Sequence, residues 1–192
     1  MDNNFNTKDM WNKASAAAPT LALVPILYSL SVLLLDKINA GNTGSYFLLS
    51  LFKGLLWLGK FSGCIILMKF LMGRFASSFR GVTRKDAYRY GLMLAFLSAL
   101  VCAAYYLVDI LFIQPDLYAE AFDSILQTNG SMLDSNTRDA LERVQDKLPA
   151  IGFFCNLIYC FLFGMVLSAI FAGKVVSDDF FDDTDIQNPY EQ

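Results

Sequence analysis

Apolar residues fall into four long runs along this chain, and polar residues collect between them. The first run extends from about Ala14 to Leu35 and is closed by Asp36, Lys37 and the turn Asn39-Ala40-Gly41-Asn42. It contains Pro19 and Pro25, which a membrane helix tolerates better than a soluble one. The second covers Tyr46 to Met72. That exceeds the roughly 20 residues needed to cross a bilayer and predicts tilt or extension beyond it. The third covers Tyr90 to Ile113 and stops at Gln114-Pro115; the fourth covers Ala150 to Gly173 and stops at Lys174. The pattern predicts an all-α, polytopic membrane protein. A four-helix transmembrane bundle occupies residues 14–173, with spans at 14–35, 46–72, 90–113 and 150–173, between an N-terminal segment 1–13 and an acidic tail 174–192.

Residues 114–149 form the only sizeable polar interval. Tyr118, Phe122, Ile125 and Leu126 recur at helical spacing until Asn129-Gly130 breaks the pattern. Leu141, Val144 and Leu148 then share a face behind candidate caps at Ser135 and Asn136. The reading is two short amphipathic helices, the second running into the fourth span near Pro149. Their apolar faces are expected on the membrane surface or on the end of the bundle, with partner docking as the alternative.

Charge orients the spans. The segment between the second and third carries Arg74, Arg80, Arg84, Lys85 and Arg89 with only Asp86 as an acid. The segment between the third and fourth is acidic. Positive loops stay in the cytoplasm, so both termini are expected there. The first run follows a polar stretch and is too long for a signal peptide, which makes it a retained anchor. The tail carries Asp178, Asp179, Asp182, Asp183, Asp185 and Glu191 around Phe180 and Phe181; it reads as a solvated segment, with a docking peptide as the alternative. Only 17% of residues are charged, below the quarter usual in soluble domains, and the net charge of −3 gives no reason to expect a nucleic-acid partner.

Catalytic chemistry finds little support. The chain has no histidine, the usual general base and commonest metal ligand. Cys64, Cys102, Cys155 and Cys160 all lie in apolar runs, where thiols act as small apolar residues. Glycine-rich phosphate loops and hydrolase motifs are absent. No enzyme activity, cofactor or metal is expected.

Charges inside spans are costly and therefore the place to look for function. Lys53, Lys60, Lys69 and Asp109 qualify, and Lys69 can snorkel to the interface. Lys53 and Lys60 lie seven apart with Trp57 between them, so the three share a helix face. Lys53 and Asp109 fall at similar depth, with Asn156, Tyr105, Tyr106 and Tyr159 nearby, which predicts a Lys53–Asp109 pair. The candidate intramembrane polar or ligand site is thus Lys53, Trp57, Lys60, Asp109 and Asn156. A structural ion pair is the plainer reading; a pocket for a lipid headgroup or small solute is the functional one. Lys60 has no acidic partner in the sequence. Small residues recur at four-residue spacing: Gly59 and Gly63; Ala95, Ala99 and Ala103; Gly164, Ser168 and Ala172. Such ladders let helices approach closely, within the monomer or at a dimer face.

The run Leu55-Leu56-Trp57-Leu58-Gly59-Lys60-Phe61-Ser62-Gly63-Cys64-Ile65, the basic loop with Tyr90-Gly91, and the entry Met10-Trp11-Asn12-Lys13-Ala14 resemble the domain of unknown function 4199 family. These are small bacterial four-span membrane proteins. The resemblance implies a topology and no reaction, and it places the chain in a bacterial inner membrane. It also brings a candidate partner, a polyprenyl-phosphate glycosyltransferase, from the company such genes keep. The expected role is an accessory or scaffold subunit in contact with membrane lipids and a partner protein or a second copy. The alternative is a small transporter or lipid-handling protein built on the Lys/Asp site.

Overall fold

The computed structural model describes residues 7–39, 46–79, 81–115 and 134–182, together with Tyr118, Glu120, Asp123, Ser124, Gln127 and Thr128. Four helices carry the chain: α1 (Thr7–Asn39), α2 (Tyr46–Ser77), α3 (Arg84–Val108) and α4 (Ser135–Asp182). A π-helical turn, Asp109–Ile113, extends α3. All four helices are long and apolar enough to cross a membrane. The protein is a multi-pass, four-helix transmembrane bundle.

Every helix begins or ends outside its predicted span, for local reasons. α3 starts at Arg84, six residues before Tyr90. Thr83 and Asp86 form a reciprocal capping box: the Thr83 hydroxyl accepts from the Asp86 N–H at 3.3 Å, and the Asp86 carboxylate accepts from the Thr83 N–H at 3.3 Å and from its hydroxyl at 2.6 Å. Two otherwise orphaned donors are satisfied there. Gly81, with φ of +81°, makes the preceding turn in a region that a side chain would disfavour. At the other end, the Gln114 N–H bonds the Asp109 carbonyl at 2.9 Å, closing the π turn at Ile113. α4 runs unbroken through Pro149 for 48 residues, about 72 Å at 1.5 Å per residue. The second amphipathic stretch and the fourth span are therefore one helix. In the first amphipathic stretch Tyr118 and five other residues are helical, whereas Phe122, Ile125, Leu126 and Asn129-Gly130 lie outside the described residues. α4 also continues nine residues past Gly173 into the stretch read as tail; residues 183–192 lie outside the description.

α3 packs most extensively on α4 and next on α1, while α2 lies against α1 and α4 and barely meets α3. Two antiparallel hairpins, α1–α2 and α3–α4, thus stand side by side with α2 diagonal to α3. Small residues set the α3–α4 contact. A β carbon added at Gly164 would fall 2.5 Å from Ala95 Cβ, and one at Gly91 would fall 2.1 Å from Ser168 Oγ. The Ser168 hydroxyl, fully buried, donates to the Tyr88 carbonyl at 3.0 Å. The ladders of α3 and α4 therefore serve packing within the monomer. On α2, Gly63 receives Val24 of α1, and Gly59 has nothing within 4 Å.

The core is concentrated at one end of the bundle. It joins Met10, Ala14 and Ala18 of α1, Met68, Met72 and Phe75 of α2, Ala87, Tyr90 and Leu94 of α3, and Phe171, Ala172 and Val175 of α4. Phe75 and Tyr90 stack there at 4.0 Å, with Lys13 Nζ 4.0 Å above the Phe79 ring. This is the end that carries the basic α2–α3 connection. Towards the opposite end burial fails early on three helices. α1 buries nothing from Leu23 to Lys37, α2 nothing from Phe47 to Leu67, and α4 nothing from Ile151 to Phe163. Only α3 continues to bury residues, as far as Ile110. Among the described residues, the buried positions of α1, α2 and α4 are thus concentrated at the basic end, and those of α3 extend further.

Candidate functional site

The five predicted site residues do not converge. Lys53 donates to Asp36 at the far end of α1, not to Asp109, and both partners are partly exposed. The predicted Lys53–Asp109 pair is thus corrected, because α2 and α3 lie diagonally across the bundle. Lys53 instead meets a residue of the antiparallel neighbour, the midpoint of the pair falling between residues 44 and 45. Trp57, one turn on, is half exposed and packs edge-on against Phe61 at 4.5 Å.

Asp109 is buried on the π turn. Its carboxylate accepts from Gln114 Nε2 at 3.2 and 3.4 Å and from the Tyr118 hydroxyl at 3.4 Å. Burial pushes the Tyr118 hydroxyl above its ordinary pKa, with Tyr106 and Asp109 adding to the effect. The Tyr118 O–H thus stays a donor to this carboxylate. Nearby, the Tyr105 hydroxyl is buried with no hydrogen-bond partner among the described residues. Asn156 on α4 accepts from Cys160 Sγ at 3.4 Å.

Of the five, Lys60 alone lines a cavity between the helices. Near mid-span, all four helices line a cavity of about 70 Å³ that includes Lys60, Cys64, Ser98, Cys102, Tyr159 and Cys160. Lys60 finds aromatic partners where the sequence offered no acid: Nζ lies 4.9 Å from the Tyr28 ring centre and 5.1 Å from that of Phe61. Three of the four cysteines also gather here from three helices. Cys102 Sγ approaches the Ala22 carbonyl at 3.9 Å. Among the described residues no group of histidine, cysteine, aspartate or glutamate side chains is arranged to hold a metal ion. A space of 70 Å³ admits a few water molecules, at roughly 10–15 Å³ each, and is too small for a phospholipid headgroup.

Sequence reasoning missed Asp36, Tyr28 and Gln114. Antiparallel register was the available signal for the first two, since Asp36–Lys53, Tyr28–Lys60 and Val24–Gly63 all lie nearly symmetrically about residues 40–45. The corrected pairing gives a first expected result. In a thermal-melt cycle in detergent, Lys53→Met and Asp36→Leu are non-additive, with a coupling of about 0.2–1 kcal/mol for so exposed a pair. Lys53→Met and Asp109→Leu add simply; coupling between those two instead of Lys53 and Asp36 would contradict the register.

No curated protein and no solved structure matches the chain. The model of one family, described as protein of unknown function (DUF4199), matches residues 19–173, most of the chain and all but the start of the four spans, so the protein belongs to that family.

Proposed function

We propose that this protein is a non-enzymatic accessory or scaffold subunit of a bacterial inner-membrane complex, with both termini in the cytoplasm. The end of the bundle away from the basic connection carries this reading. There large apolar side chains are more than half exposed on both hairpins: Leu27, Leu34, Phe47, Leu48, Leu51 and Leu55 on α1 and α2, and Phe112, Phe154 and Ile158 on the α3–α4 hairpin. A helix that finds no inner face within its own bundle is free to take one from a partner helix, a membrane protein or a second copy of this chain. The transporter or lipid-handling alternative draws its support from Lys60. It is weakened because Lys53, Asp109 and Asn156 do not line the Lys60 cavity and the cavity is small.

The experiment is photo-crosslinking in intact bacterial cells. With the photoreactive residue at Leu51 or Leu55 on α2, discrete protein adducts are expected; at Phe96 or Leu100 on the packed hairpin, which also face outward, none are. Equal patterns at both sets, or lipid adducts alone, would remove the scaffold reading. Orientation is checked in the same strains. A reporter that works only outside the cytoplasm should be active when fused after Asn129 and silent after Ser78, and the reverse would invert the topology.

A further inference from the structure

A second pocket lies at the basic end, on the outside of the α3–α4 hairpin. It measures about 450 Å³ and is lined by Arg84, Lys85 and Tyr88 of α3 and by Ala169 and Ala172 of α4. It is a shallow depression open to its surroundings, roomier than the mid-span cavity. The small residues of α4 create it. The Arg84 guanidinium lies over Gly173, with Cζ 3.5 Å from the place a β carbon would take. Longer side chains on this face of α4 would fill the space.

Among the described residues, no carboxylate lies in the lining of the pocket. Asp86, the one acid between Arg74 and Arg89, is turned back onto Thr83 in the capping box. Neither Arg84 nor Lys85 makes an ion pair among the described residues. The cations stand at the rim, where α3 begins, and the alanines form a floor inside the span. Below Ala169 the exposed residues Val166 and Leu162 continue down the same side of α4. A cationic rim over an apolar floor and track matches a phosphate group joined to acyl chains better than a free anion. Basic pockets between transmembrane helices at this depth are where anionic headgroups dock.

We propose that the Arg84–Lys85–Tyr88 pocket binds the phosphate of an anionic phospholipid, with Arg84 and Lys85 on the phosphate and an acyl chain along Ala169 and Val166. The site is separate from the crosslinked face of α2, so either idea can fail without the other.

The test is native mass spectrometry of the purified full-length protein titrated with phosphatidylglycerol or phosphatidylcholine. Wild type should retain phosphatidylglycerol preferentially. Arg84→Gln/Lys85→Gln should lower its affinity roughly tenfold or more, at the effect of each cation expected near an anionic lipid. Arg74→Gln/Arg89→Gln removes the same charge from exposed positions off the pocket and should change affinity less than threefold. Ala169→Leu fills the pocket without altering charge and should also abolish the preference. Equal losses in the two charge-matched doubles, or full retention by Ala169→Leu, would reduce the site to a diffuse surface field and overturn the proposal. Displacement of the lipid by 10 mM inorganic phosphate, but not by chloride at equal ionic strength (~0.03 M, a Debye length near 20 Å), would assign the pocket to a soluble anion and overturn it equally. Melting temperatures of all variants identify any loss caused by misfolding, and Ala169, being exposed, offers a variant outside the core.

Discussion

Replacing Gly164 by alanine is expected to lower the melting temperature of the detergent-solubilised protein sharply. The new β carbon would sit 2.5 Å from Ala95 Cβ and 3.3 Å from Ala95 Cα. Neither atom belongs to a flexible side chain, so the two helix backbones must separate. Overpacking of this kind costs about 1–3 kcal/mol. In a membrane the loss spreads along the seam, because helix association there rests on close packing instead of a hydrophobic drive. The same seam contains Ala95, Gly91 and Ser168, all buried. The compensating change is Ala95→Gly, which removes the clashing Cβ. The double variant should regain most of the loss, short of the few tenths to 1 kcal/mol that a second helical glycine costs. At Gly59, where nothing lies within 4 Å, alanine should be neutral. If Gly164→Ala and Gly59→Ala behaved alike, the α3–α4 seam would not be the one described.

These residues also show how much of the molecule was legible beforehand. Span number and helix class followed from apolar runs long enough to cross a bilayer. The ladders of small residues marked which helices come close, though not which ladders face each other. That information sits in antiparallel register: Gly91–Ser168, Ala95–Gly164 and Tyr106–Gly152 lie nearly symmetrically about Asn129, as Asp36–Lys53 does about residues 40–45. Depth alone placed Lys53 beside Asp109. Depth is a one-dimensional coordinate, and it cannot tell an adjacent helix from a diagonal one. Helices start outside the apolar runs where capping chemistry adds polar turns, as at Thr83-Arg84-Lys85-Asp86, whose spacing is readable in the sequence. The α3–α4 surface pocket depends on which side chains of two helices meet, which no single run of residues encodes.

Lys60 offers the second large effect, and it separates an aromatic role from an electrostatic one. A lysine at the centre of a span costs about 2.5–3.5 kcal/mol on insertion scales. Two ring faces near Nζ return about 0.5–2 kcal/mol. The balance is unfavourable, so Lys60→Met should leave the melting temperature unchanged or raise it. Lys60→Glu should lower it sharply, because a carboxylate would face the negative faces of Tyr28 and Phe61. Tyr28→Leu discriminates further. In wild type it strips the lysine of one partner, whereas in the Lys60→Met background it changes only packing. Its cost should therefore be larger in wild type by about 0.5–1 kcal/mol, the range for a single cation–π contact. An equal cost in both backgrounds would show that the ring does not serve the cation. A marked destabilisation by Lys60→Met would show that the ammonium has a stronger partner than the rings, and the small cavity beside it would then be the place to look for a bound anion.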